Sequence, residues 1–198
     1  MALDCVDIDP AVIAVAREWF GFRGNAVAAD GRLFLESCAG RYDFCIIDTY
    51  SGDTFPAQLA SREAFQAARR VLKPGGALVM NFIGSPKGAA FDAMHATLAG
   101  EFKHVLAIRG EDSDDVQTIT LFASDKSIKF NKAWLDHLGG TPGTDPVSEA
   151  LARLTAKPAA GSASILTDDH NPIDRIRADE AVRWRERSLA NIGERAVF

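Results

Sequence analysis

The sequence predicts an α/β fold built on a doubly wound, mostly parallel sheet that closes with an antiparallel strand. Three observations predict it. Short apolar runs alternate with segments whose apolar residues recur at helical spacing. Three of the early apolar runs end on an aspartate: Asp7, Asp30 and Asp48. The last regular segment, over 117–123, alternates with period two, as a strand paired antiparallel with the one before it does.

The elements follow in order. Residues 3–8 are short and rich in apolar side chains, and read as a strand. Asp9-Pro10 then supplies an N-cap and a first-turn proline. Val12, Ile13, Ala16, Trp19 and Phe20 continue at helical spacing, and Gly21 stops the helix. A weak strand over 25–29 ends at Asp30-Gly31, and a short helix covers 33–37. The clearest strand is 42–47, ending at Asp48; a loop over 49–55 leads past Pro56 into a helix reaching about Leu72. Lys73-Pro74-Gly75-Gly76 is a turn, since proline fixes its own φ and glycine accepts positive φ. A strand over 77–82, a helix over 87–98 and a strand over 105–108 continue the alternation, and 110–115 is an acidic hairpin tip.

Beyond residue 124 the rhythm breaks. Residues 139–146 are expected to form a Gly/Pro/Thr loop flanked by short helices, and 157–164 are rich in small residues. A charged surface helix is expected over 175–187, its arginines on a solvated face. Residues 1–124 are therefore expected to form the α/β core, starting at its second strand, with 125–198 a C-terminal extension packed on it.

Bulk properties narrow the function. With 198 residues, 47% hydrophobic and 25% charged, the chain suits one globular domain plus an extension. A net charge of -5 argues against a general nucleic-acid grip. No apolar run reaches bilayer length and no basic-then-apolar leader opens the chain, so a cytoplasmic protein with no membrane partner is expected. Cys5, Cys38 and Cys45 form no CxxC spacing and read as reduced thiols. The 4 histidines do not cluster at ligand spacing, which points away from a metal site.

In open α/β sheets, ligands bind outside the carboxyl ends of the strands, where Asp7, Asp30 and Asp48 stand. Asp7 suits vicinal ribose hydroxyls, because a carboxylate accepts two hydrogen bonds side by side. Asp30 either accepts from an exocyclic adenine amine, with Gly31 admitting the base, or caps the following helix; the two roles are compatible. Asp48 closes the most hydrophobic strand and suits a base that takes a proton from an amine nucleophile. Asp53 either holds a cationic substrate or is solvated.

These segments together resemble the spermidine synthase family, whose catalytic domain has the class I methyltransferase fold. The resemblance rests on Val6-Asp7-Ile8-Asp9-Pro10, Ala29-Asp30-Gly31-Arg32, Ile47-Asp48-Thr49-Tyr50-Ser51-Gly52-Asp53 and Leu72-Lys73-Pro74-Gly75-Gly76, in that order over residues 3–85. A second box, Leu166-Thr167-Asp168-Asp169-His170-Asn171-Pro172, resembles the end of such proteins. The resemblance implies an aminopropyl transferase acting on a small-molecule amine. Decarboxylated S-adenosylmethionine, or S-adenosylmethionine itself, would be a co-substrate rather than a tightly bound cofactor. It implies Asp7 on the ribose, Asp30 on the adenine and Asp48 as catalytic base, with Ile8, Gly31 and Thr49 beside the nucleoside and Tyr50 and Asp53 beside the amine. The family's second aspartate, three residues after the catalytic one, is Ser51 here; the next acid is Asp53. A homodimer is compatible with this reading.

The same family pattern has a strand and a glycine-rich turn ahead of the first strand seen here, and a small β domain ahead of those. That extra strand would lie between the strands ending at Asp7 and Asp48. Without it, the two either pair directly or expose edges. Competing readings are a catalytically inactive nucleoside-binding protein and an S-adenosylmethionine-dependent small-molecule methyltransferase. A dinucleotide oxidoreductase is weaker, because GxGxxG is missing.

Overall fold

A computed structural model describes residues 2–50, 54–110, 113–128, 154–155 and 163–193. Strand β1 (Asp4–Asp7) leads into helix α1 (Pro10–Trp19). Asp9 caps α1 as its sequence position predicts, accepting from the Ala11 amide at 2.8 Å, with Pro10 opening the first turn. Strand β2 (Asn25–Ala28) follows and pairs in parallel with β1, Asp7 opposite Ala28. Helix α2 (Gly31–Ser37), capped by Asp30, leads to strand β3 (Tyr42–Ile47). A 3-10 turn (Ala57–Leu59) and helix α3 (Arg62–Val71), capped by Ser61, come next.

Strand β4 (Leu72–Gly84) runs parallel to β3. Tyr42 pairs with Leu72 and Phe44 already with Ala77, so residues 73–76 loop out of the ladder. The expected Lys-Pro-Gly-Gly turn is thus an excursion within a strand, with Gly75 at φ +86°. Helix α4 (Ala89–Glu101) and strands β5 (His104–Arg109) and β6 (Gln117–Ser124) complete the alternation. β6 inserts between β4 and β5, antiparallel to both. Strand β7 (Leu154–Thr155), which the sequence pattern does not signal, adds antiparallel to β5. Helix α5 (Ile173–Gly193) ends the described chain. The loop expected over 139–146 and its flanking helices lie outside the described residues, as do residues 157–162.

The sheet is split. β1 and β2 form one two-stranded sheet, and the other five strands form a second in the order β3-β4-β6-β5-β7. β1 and β3 do not pair with each other: of direct pairing and open edges, the described strands show open edges. β1 and β3 each have one paired neighbour among the described strands. The sheets are linked at their starts by the Tyr42 hydroxyl, which donates to Asp4 Oδ2 at 2.8 Å. Phe44 and Ile46, on one face of β3, are 61% and 66% exposed.

The core lies elsewhere. Ala64, Phe65, Ala67, Ala68 and Val71 of α3, Leu78, Met80 and Phe82 of β4, and Met94 and Leu98 of α4 are buried together. Helix α1 buries none of its residues. The solvated face expected for the arginines of α5 does not hold for Arg177, which is 2% exposed. Its Nε donates to the Ile83 carbonyl at 3.1 Å, and its guanidinium lies against the rings of Tyr50 and Phe82. That carbonyl and the two aromatic faces meet the cation's needs once it leaves water.

Candidate nucleoside and amine site

The strand ends place the three carboxylates. Asp7 ends β1, and its carbonyl accepts from the Ala29 amide at 3.0 Å, extending the ladder one residue past β2. Asp30 therefore lies just beyond the same sheet end as Asp7. The Asp7 Oδ1 accepts from the Asp9 amide at 2.9 Å, while Oδ2 has no partner among the described residues. A carboxylate braced through one oxygen keeps the other in a fixed direction for a hydroxyl donor. Ile8, beside it, is 71% exposed and presents an apolar surface at the strand end.

Asp30 fills the capping role, with Oδ1 accepting from the Leu33 amide at 3.0 Å. One oxygen serves the helix and the other has no partner among the described residues, so the capping role does not use up the carboxylate. Gly31 sits close to Leu59, whose Cδ1 would lie 3.6 Å from a Cβ at that position. This contact brings the segment after β3 against the start of α2.

Asp48 follows β3 and is exposed at the strand end. Its Oδ1 accepts from the Asn81 side-chain amide at 2.9 Å. Asn81 lies on β4, one residue past the Ile47–Met80 pair, so register alone brings the two together. The sequence pattern misses Asn81; the polar residue in the otherwise apolar run 77–83 is its only signal. The Asn81 Oδ1 and the Thr49 hydroxyl are both buried without a hydrogen-bond partner. Two such atoms lie next to Asp48, an exception to the rule that buried polar groups are hydrogen-bonded.

Tyr50 packs beneath this corner. Its hydroxyl accepts from the Ile83 amide at 2.7 Å and donates to the Asn81 carbonyl at 3.5 Å. Its ring meets Phe55 edge-on, with centroids 5.4 Å apart. Burial pushes the phenol up to about 12, the Arg177 cation and the Ile83 hydrogen bond acting the other way. Asp53 and Ser51 lie outside the described residues. Among the described residues, no group of His, Cys, Asp or Glu side chains is arranged to hold a metal ion. Among them too, no helix is long and apolar enough to cross a membrane.

Comparison with known proteins agrees with the residue pattern. No family model matches the chain. A probable polyamine aminopropyl transferase of Bifidobacterium longum is 28% identical over 213 aligned positions, covering 94% of this chain and 48% of that protein. A solved probable spermidine synthase from Corynebacterium glutamicum superposes with a TM-score of 0.64 at 21% identity, covering 83% of this chain and 63% of that one. Spermidine synthase from Thermotoga maritima superposes with a TM-score of 0.62 at 19% identity, covering 79% of this chain and 57% of that one. The chain thus spans about half the length of the first of these relatives. The resemblance to the spermidine synthase family is borne out, and the fold is the Rossmann-like fold of these enzymes.

Proposed function

We propose that this polypeptide carries the nucleoside and base side of an aminopropyl transfer site of the spermidine synthase type. The observation that carries the reading is Asp48: one carboxylate oxygen is held by Asn81, the other has no partner among the described residues, and Asp7 and Asp30 stand at the neighbouring sheet end. In this reading Asp7 accepts from the ribose hydroxyls and Asp30 from the adenine amine. Ile8, Gly31 and Thr49 line the nucleoside, and Tyr50 supports the corner from below. Asp53 meets the cationic end of the amine.

The chemistry asks little of the protein beyond alignment. The sulfonium of decarboxylated S-adenosylmethionine activates the carbon next to it. The amine nitrogen forms a bond to that carbon, the carbon–sulfur bond breaks, and the thioether leaves as methylthioadenosine. Asp48 takes the proton released by the amine. Holding the reactants in line and accepting that proton are the two contributions expected of the site.

The test is an assay of the whole chain with decarboxylated S-adenosylmethionine and putrescine, following methylthioadenosine. Product is expected, and Asp48→Asn should lower the rate by roughly 10²–10⁴-fold, the range for a lost general base. A folded chain that makes no methylthioadenosine contradicts the reading. A methylated amine formed from S-adenosylmethionine in a parallel arm would move the assignment to methyl transfer.

A further inference from the structure

The box at 166–172 finds its place against the candidate site rather than in it. Leu166 is fully buried; its amide donates to Thr97 Oγ1 at 3.0 Å, and its carbonyl accepts from the Arg62 amide at 2.8 Å. Asp168 takes a two-pronged grip from Arg32, at 3.2 Å and 2.9 Å, and also accepts from the Ser61 hydroxyl. Its own amide donates to Glu63 Oε2 at 2.9 Å. Desolvation works against the Asp168 carboxylate, yet Ser61 and Arg32 hold it below the usual range. The Asn171 side-chain amide donates to the carbonyls of Ala57 at 2.9 Å and Ala60 at 3.2 Å.

These contacts converge on one wall. Asn171 holds both ends of the 3-10 turn Ala57–Leu59, and Arg32 donates to the Gln58 carbonyl at 3.2 Å in the middle of it. Leu59 of that turn packs over Gly31. Arg32 follows Gly31 directly, and Glu36 and Asp168 both pair with it, at 2.7 Å and 2.9 Å. The cation two residues after Asp30 is thereby drawn away toward the C-terminal box, and the Asp30 carboxylate keeps no ion-pair partner among the described residues.

We propose that Asp168 and Asn171 are positioning residues: through Arg32 and the turn Ala57–Leu59 they hold the Gly31–Leu59 wall and the unpaired Asp30 at the base-recognising end of α2. The inference rests on the nucleoside reading proposed above and adds what sets its preference for one base. An exocyclic amine is distinguished from a carbonyl only if the acceptor that meets it is held in place.

The experiment is calorimetric titration of the whole chain with methylthioadenosine and, separately, methylthioinosine, which presents a carbonyl where the adenine carries its amine. The unmodified chain should prefer methylthioadenosine. Asn171→Ala should weaken methylthioadenosine binding and shrink that preference by about fivefold to tenfold, the worth of a hydrogen bond lost from a ligand. Arg32→Lys keeps the charge and loses the two-pronged grip, and should shift the preference the same way. It decides the matter should Asn171→Ala fail to fold, and thermal unfolding identifies the folded variants. Folded variants with unchanged affinity and preference overturn the positioning role and leave the nucleoside site standing. Equal weakening of both nucleosides, with the preference kept, also overturns it, because that is a general structural defect. If the unmodified chain binds neither nucleoside, the nucleoside reading itself fails and the positioning role falls with it.

Discussion

Cys45 illustrates how one position on β3 sets the reactivity of a side chain. Burial, with the nearby Cys38 adding to it, pushes its thiol up to about 12. The thiolate is the nucleophile, so alkylation of Cys45 in the native protein at pH 8 should run roughly a thousandfold slower than for free cysteine, whose pKa is about 8.5. Peptide mapping after iodoacetamide treatment checks this; modification at the free-thiol rate would contradict it. Asp168 gives the acid-side counterpart. Its folded pKa is lowered, so its contribution is present above the unfolded value near 3.9 and fades as pH falls through the folded value. Asp168→Asn should therefore lower the unfolding midpoint near neutral pH and flatten its decline below about pH 4, as thermal scans across that range will show. Single residues at strand ends were legible because strand, aspartate and glycine follow one another in the chain. Asn81 was not, because its meeting with Asp48 depends on the register of two strands 33 residues apart. The burial of Arg177 is not legible, because charge in sequence says nothing of which aromatic faces and carbonyls it meets after folding.

The elements divide into a buried group and an open one, and their responses to substitution should divide the same way. Phe65 on α3 has no exposed surface, whereas Trp19 on α1 is 74% exposed. Phe65→Ala should cost about 3–5 kcal/mol, the range for removing a buried aromatic ring. Trp19→Ala should fall within about 0.5 kcal/mol of neutral, as surface changes do. Denaturant unfolding of the two variants measures both; similar losses would contradict the division. The order of elements is readable from caps and periodicity: Asp9 and Asp30 each stand immediately before a helix and cap it, whereas Ser61, which caps α3 after the turn Ala57–Leu59, gives no such signal behind Pro56. The looping-out at 73–76 and the small strand β7 are not readable either, since each is fixed by pairing with residues distant in sequence.

At the scale of the whole molecule, the β1–α1–β2 unit stands apart from the core, with none of the residues of β1, α1 and β2 buried. Its amides are expected to exchange with solvent at lower opening free energy than those of β4 and β6, which lie in the interior of the five-stranded sheet. Hydrogen exchange read by NMR or mass spectrometry tests this; uniform protection across both sheets would contradict it. The alternation of strands and helices is legible in the sequence, whereas the separation of β1–β2 from the five-stranded sheet is not, because strand pairing is set between residues distant in the chain. Asp7 lies in the open unit and Asp48 in the five-stranded sheet, so the proposed site depends on the two sheets staying together at one end. Titration of methylthioadenosine into the whole chain, unmodified and carrying Asp7→Ala, tests that dependence. A saturable signal is predicted, weakened by about tenfold to a hundredfold in the variant, the worth of hydrogen bonds to a charged acceptor. No binding by the unmodified chain, or binding indifferent to Asp7→Ala, would contradict it.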